Sequence, residues 1–400
     1  MNAINFHENP NKLSDSEITA HTASMWKYLP VPESPEPAPE YCNDDKIIGN
    51  CEIIAARVRG KKHKHEGTNC DDFYCFDNAG DFVIAVVSDG AGSKPFSRIG
   101  ARVSSEAALA AIKKELVSLN DENPDLRSDL SLPFESEKFT KCCTRLAKAV
   151  QDSFSVAYSA VEGAYELRKG KAGFERSELS DYAATLLAAV IIPVENGEHF
   201  VISVQVGDGM IASFNHNSGF ESALRILGGV ASGGGFAGET EFLCAKTIEA
   251  LGGRTKIQRG KITSLMLMTD GVADDYYPND PNLLRLYTDL LLNGILDFQG
   301  ESEETDAYSD ITPPKPEEYP WVNDSSVSYP IQYSKNVAKA AGCTPEKLWE
   351  MRFGALLRNS AVGEGDISKS EKLKVWLDNY IERGSFDDRT LVVINIGEAV

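Results

Sequence analysis

The sequence is short of cysteine, of positive charge and of long apolar runs, and each shortage removes a class of protein. Eight cysteines in 400 residues, none of them in a CxxC pair, argue against both a disulfide scaffold and a thiolate zinc site. Cys142 and Cys143 are neighbours on a helical stretch and point to different faces, so burial of one explains the pair better than redox chemistry does. Forty Lys and Arg stand against sixty Asp and Glu, a formal charge of -20 that would repel duplex nucleic acid and anionic membranes. The longest apolar stretch, Ala183 to Val194, is too short to span a bilayer, and MNAINFHENP lacks a basic segment followed by an apolar one. A soluble, cytoplasmic protein with no nucleic-acid and no membrane partner is expected. With 42% hydrophobic and 25% charged residues, the chain has the average composition of a globular protein and can bury a core.

From Pro30 to Glu40 five prolines alternate with acidic and small residues. This composition supplies no core and breaks backbone pairing, so residues 1–46 are expected to be a flexible acidic segment, with the folded domain running over 47–400. Ile53–Val58, Phe82–Ser88, Phe200–Val206, Ser264–Thr269 and Leu391–Ile396 read as buried strands, and Ile99–Leu119 and Lys138–Arg168 as amphipathic helices, the second long enough for a helical hairpin. The glycine cluster at 228–238 has no G-x-x-x-x-G-K-[ST] pattern and reads as a flexible loop rather than a phosphate cradle. Residues 276–330, rich in Pro, Tyr and acidic side chains, read as an insertion, and 346–382 returns to helical periodicity.

Aspartates recur at the ends of these strands. Phe82–Ser88 runs into Asp89-Gly90, Ser264–Thr269 into Asp270-Gly271 and Phe200–Val206 into Gly207-Asp208-Gly209, while Asp387-Asp388 precedes Leu391–Ile396 and Asp71-Asp72 precedes Phe73–Phe76. One Asp-Gly alone is an ordinary tight turn. Five acidic corners on neighbouring strands would repel one another unless cations sat among them, and oxygen-only ligands suit magnesium or manganese rather than zinc.

Seven motifs in order resemble those of the metal-dependent type 2C Ser/Thr protein phosphatases, most closely the bacterial branch. They are Arg59-Gly60-Lys61-Lys62-His63 through Gly67-Thr68-Asn69-Cys70-Asp71-Asp72; Ser88-Asp89-Gly90-Ala91-Gly92-Ser93-Lys94 with Gly100-Ala101; Ala184-Thr185-Leu186-Leu187; Val206-Gly207-Asp208-Gly209; Glu239-Thr240-Glu241-Phe242-Leu243; Met268-Thr269-Asp270-Gly271; and Asp387-Asp388-Arg389-Thr390-Leu391. The resemblance implies an α+β, four-layer α-β-β-α sandwich with two central antiparallel sheets and a binuclear metal cleft. It implies two Mg2+ or Mn2+ ions and a weaker third. Asp89 would bridge the pair, the Gly90 carbonyl and Asp71 or Asp72 would hold one ion, Asp270 and Asp387 the other, and Asp208 the third. The spacing to Thr390 selects Asp387 over Asp388, and two registers leave Asp71 and Asp72 both open.

The implied reaction is hydrolysis of phosphoserine or phosphothreonine in a protein, the substrate of a cognate kinase, by in-line attack of a metal-activated water. Catalytic roles would fall to Asp89, Asp270 and His63. Eukaryotic members carry a phosphate-binding arginine where this sequence has Gly67, so His63, Lys62, His65 and Lys94 are the candidate replacements, and His63 is also a candidate general acid. The competing expectations are a pseudo-phosphatase that only binds partners and a phosphatase of small phosphomonoesters.

Overall fold

The computed structural model describes residues 27–33, 35–218, 220–228, 240–297, 342, 344, 367–379 and 386–397. Eleven strands among them form two antiparallel sheets. The first sheet joins β1 (Tyr41–Ile48), β2 (Cys51–Val58), β11 (Arg389–Ile396), β10 (Ser264–Met268), β7 (Met210–Phe214) and β8 (Leu224–Ile226) in that order. The second joins β3 (Phe73–Ala79), β4 (Phe82–Ser88), β5 (Leu186–Pro193), β6 (His199–Val206) and β9 (Thr255–Gly260).

The apolar strands lack a polar face because both of their faces are covered. Successive side chains alternate across a strand. On β4, Val83, Ala85 and Val87 meet Ile53, Leu265, Leu267, Val392 and Ile394 between the sheets. Phe82, Ile84 and Val86 pack the other way, under the helices α2 (Ser97–Glu122) and α3 (Glu137–Arg168). The outer face of the first sheet, through Ile54, Ala56, Met266 and Met268, is closed by α5 (Asn279–Leu292) and α6 (Lys369–Asn379), with Leu283, Tyr287, Leu373 and Trp376 as the main contacts. Four layers in the order α-β-β-α result.

Three local expectations are corrected, and one short helix is added to those read from the sequence. α3 is a single continuous helix of 32 residues rather than a hairpin, because no proline interrupts its apolar stripe. Residues 279–292 are a core helix, so an insertion beginning at 276 would cut into the fold; 298–330 lies outside the described residues, as does most of the 228–238 loop. Lys61–Glu66, the basic run between Gly60 and Gly67, is a short helix, α1, closed by Gly67 at φ +74°. The proline-rich stretch, as far as it is described, lies bound along the domain, and β1 begins at Tyr41, paired with Val58. Its missing backbone partners are supplied by arginines of the folded part.

Candidate metal centre and histidine dyad

Strand register brings the acidic corners together. Phe73 pairs with Ser88, Leu186 with Val206, Met268 with both Met210 and Leu391, and Arg389 with Val58. The start of β3, the end of β4, the β6–β7 turn, the end of β10 and the start of β11 therefore share one edge of the sandwich. Asp72, Asp89, Asp208, Asp270 and Asp387-Asp388 stand on that edge.

Asp89, Asp208 and Asp270 each offer a carboxylate oxygen within 4.8 Å of the other two. Burial, and then the charges of Asp72 and Asp270, hold the Asp89 carboxyl well above the usual carboxylate range. Asp270 is raised in the same direction by burial and by Asp208, Asp72 and Asp387. Asp72 is 1% exposed; its Oδ2 accepts the hydroxyls of Thr390 at 2.6 Å and Thr269 at 2.8 Å, so only Oδ1 remains without a partner among the described residues. Asp208 repeats this arrangement, with one oxygen bound to the Thr240 hydroxyl and Oδ1 buried and unpartnered among the described residues. Such buried acceptors are costly without a partner, and each leaves one lone-pair direction for a cation.

The motif residues around these carboxylates fix the backbone that carries them. Thr185 accepts the Asp89 N–H on its hydroxyl at 2.8 Å and returns its own N–H to the Asp89 carbonyl at 2.8 Å. A Cβ on Gly90 would lie 2.6 Å from the Asp71 carbonyl, so only glycine lets these two corners approach. A Cβ on Gly271 would lie 1.9 Å from the Asp388 carbonyl, where the turn α4 (Asp270–Ala273) meets the last acidic corner. Gly271→Ala is expected to cost about 1–3 kcal/mol by overpacking, read from urea unfolding, and to lower turnover because Asp388 must move.

The two adjacent acidic pairs divide their work. Asp387 is half exposed, and its charge acts on Asp89 and Asp270. Asp388, 2% exposed, is a hydrogen-bond hub: Oδ1 accepts Gly60 N–H at 2.6 Å, and Oδ2 accepts Asp71 N–H at 2.6 Å and meets His63 Nδ1 at 2.9 Å. At the other pair, Asp72 faces the carboxylate cluster while the Asp71 side chain faces Asp388, His63 and Arg98, and burial is the main cause that pushes Asp71 up to about 7. Consecutive residues of an extended chain point to opposite sides, which accounts for both divisions.

His63 is buried on α1. Burial pushes its pKa down, but the Asp388 hydrogen bond and the charges of Asp388, Asp71 and Asp387 more than offset this and carry it to about 9. Its Nε2 lies 3.9 Å from Asp387 Oδ1 and beside Gly92, toward the cleft. The rest of the basic run is not gathered there. Lys62 is exposed, Lys64 pairs with Asp378, and His65 Nδ1 accepts the Lys27 N–H at 3.0 Å. Lys94, partly exposed after the Asp89 corner, lies 4.0 Å from Asp181. Asp388, Arg57 and Arg98 carry weight in this site that sequence reasoning did not assign; the single arginine inside the apolar stretch Ile53–Val58, Arg57, was the available signal.

A family model described as protein phosphatase 2C matches residues 59–294, more than half of the chain. No curated protein matches the sequence. Among solved structures, a bacterial serine phosphatase is 12% identical, with 88% of this chain and 100% of that chain covered and a TM-score of 0.40. The serine/threonine phosphatase Stp1 from Staphylococcus aureus is 9% identical, with 92% and 98% covered and a TM-score of 0.36. A serine-threonine phosphatase 2C from Toxoplasma gondii is 13% identical, with 90% and 100% covered and a TM-score of 0.39.

Proposed function

Because the chain belongs to the protein phosphatase 2C family and is thereby a protein phosphatase, we propose that its strand-end aspartates hold Mg2+ or Mn2+ for the hydrolysis of phosphoserine and phosphothreonine in the products of a Ser/Thr kinase, in a cytoplasmic signalling role. The observation that carries the reading is the convergence of Asp72, Asp89, Asp208 and Asp270, with two buried oxygens unpartnered among the described residues. The donor set of Asp72, Asp89, Asp208 and Asp270 fits the ions, because it is all oxygen and crowded with negative charge, and the imidazole nearest it, His63, has its Nδ1 engaged by Asp388. Asp89, Asp270, Asp72, Asp387 and the Gly90 carbonyl are assigned to two ions, and Asp208 to a third. When bound, such cations neutralise a phosphoryl dianion and make water a nucleophile at neutral pH.

The chain's own groups do the rest. His63, cationic at neutral pH because Asp388 holds its Nδ1 side, turns Nε2 toward the cleft, where it can bind a phosphoryl oxygen or give its proton to the departing seryl or threonyl oxygen. Lys94, on the loop after Asp89, is assigned to the approaching phosphate, which partly replaces the arginine missing at Gly67, while Lys62 is left without a role in the site. Thr269 and Thr390 fix one Asp72 oxygen so that the other stays aimed at the cluster.

The test is release of phosphate from an aryl phosphate and from a phosphothreonine peptide, with Mn2+ and then with excess EDTA. Metal-dependent turnover that favours the peptide is expected. No turnover of either substrate by folded, Mn2+-loaded protein would make the chain a binding module, and preference for the small ester would make it a phosphomonoesterase.

A further inference from the structure

Residues 35–40 form a strap whose backbone is bound by three buried side chains, Asn69, Arg57 and Arg98, that stand next to the Asp71-Asp72 and Asp89 corners. Ala38 N–H donates to Asn69 Oδ1 at 2.9 Å; Asn69 is buried and lies three residues before Asp72. Arg57, itself 3% exposed, donates one Nη to the Asp72 carbonyl and the other to the Pro39 carbonyl at 3.3 Å. Arg98, 7% exposed on the first turn of α2, donates Nε to the Glu36 carbonyl at 2.9 Å, one Nη to the Pro35 carbonyl and the other to the Pro95 carbonyl just after the Asp89 loop; its charge acts on Asp71.

The strap is fastened at both ends: at its far end the Glu40 carbonyl accepts Arg59 N–H at 2.9 Å and its carboxylate pairs with Arg59 and Lys64, and at its start Glu36 makes the clasp. Glu36 receives Arg168 Nε at 2.7 Å and Nη2 at 3.0 Å on its two carboxylate oxygens, with Arg102 at 3.4 Å. Its φ of +46° is a left-handed conformation that L residues rarely adopt, and it turns two successive carbonyls toward the single Arg98 guanidinium. A strained backbone persists where surrounding bonds over-determine it, and such places cluster at functional sites. Paired Arg–carboxylate forks are the stronger class of ion pair, so this clasp has the rigidity the conformation demands.

We infer that the strap is a positioning element of the metal centre: through Asn69 and Arg57 it fixes the backbone leading to and at Asp72, through Arg98 it fixes the loop after Asp89 at Pro95, and the Glu36–Arg168 clasp holds the start of the strap. The inference rests on the metal assignment of the preceding section. It gives a role to part of the segment that composition marks as flexible and acidic, because the groups that orient ligands govern affinity nearly as strongly as the ligands themselves.

The experiment uses the full chain with Glu36→Gln, Glu36→Ala, Glu36→Gly and Arg168→Ala; none of these side chains touches the carboxylate cluster. The free Mn2+ signal in electron paramagnetic resonance reads affinity without reference to activity, and turnover is followed across Mn2+ concentrations. Glu36→Ala and Arg168→Ala are expected to weaken Mn2+ binding by about tenfold and Glu36→Gln by about threefold, with kcat at saturating metal nearly kept. Glu36→Gly should bind more tightly than Glu36→Ala, because glycine accepts the left-handed backbone. If the wild type binds Mn2+ and the folded variants bind it as tightly, the strap positions nothing and the inference falls. A variant that loses its circular dichroism is replaced by the others, and loss of fold in all four would make the strap a folding element only, which also overturns the inference. A wild type that binds no Mn2+ would instead sink the metal assignment and leave the strap's contacts as they stand.

Discussion

Asp89→Asn is expected to lower turnover by about 10³-fold, the scale of losing a group that stabilises transition-state charge, while making the metal-free protein more stable. The two effects have one cause. Burial and the neighbouring carboxylates hold Asp89 and Asp270 above their ordinary range, so their ionised forms oppose folding. For an acid raised in the folded state, the stability present below its unfolded value of about 4 is lost as pH rises toward the folded one. Metal-free wild type should therefore melt at falling temperature from about pH 4 toward neutrality, and Mg2+ or Mn2+ should restore more stability at pH 7.5 than at pH 5. In Asp89→Asn both the slope and the metal effect should shrink, and melting without metal should rise by about 2–4 °C per kcal/mol of repulsion removed. Calorimetry with and without EDTA across this range checks it. A variant that melts lower than wild type in EDTA at pH 7.5 would mean the carboxylates are not a strained, cation-seeking cluster.

Asp388→Asn is expected to reduce turnover by about 10²-fold, the lower end for loss of a positioned general acid, although Asp388 itself holds no place among the assigned metal ligands. The variant acts through His63. With its partner neutralised, the largest raising influences on the imidazole are gone, and burial, which lowers its pKa, is opposed only by the charges of Asp71 and Asp387. Histidine NMR in metal-free protein should show His63 titrating near 9 in wild type and well below that in the variant. The linkage sign follows: the raised histidine contributes stability fully present below about 6.5 and lost through about 9, so wild type should weaken over that window while Asp388→Asn, already without the pair, should not. His63→Gln should match the turnover loss without the titration. An unchanged His63 titration in Asp388→Asn would dissolve the dyad as a unit.

Much of this was legible in the chain. Covered strands such as Phe82–Ser88 and Leu391–Ile396 announce themselves by uninterrupted β-branched runs, because both faces meet apolar layers. The acidic corners are equally local: an aspartate beside a glycine at a strand end is a fact of spacing, and motif order added a family that the match over 59–294 bears out. The hairpin expected in 138–168 and the insertion expected from 276 failed for a different reason. Composition registers polarity, while the length of α3 and the burial of α5 depend on which layer each faces.

Identity and order along the chain determined the strands, the acidic turns and the oxygen-rich chemistry, since these are properties of residues and their immediate neighbours. Only the packed molecule decided between Asp71 and Asp72, that His63 leans on Asp388, and that a proline-rich stretch is tied across the domain by arginines drawn from residues 57 to 168. Those outcomes depend on register between strands far apart in sequence and on buried polar groups finding partners, and no local pattern records either.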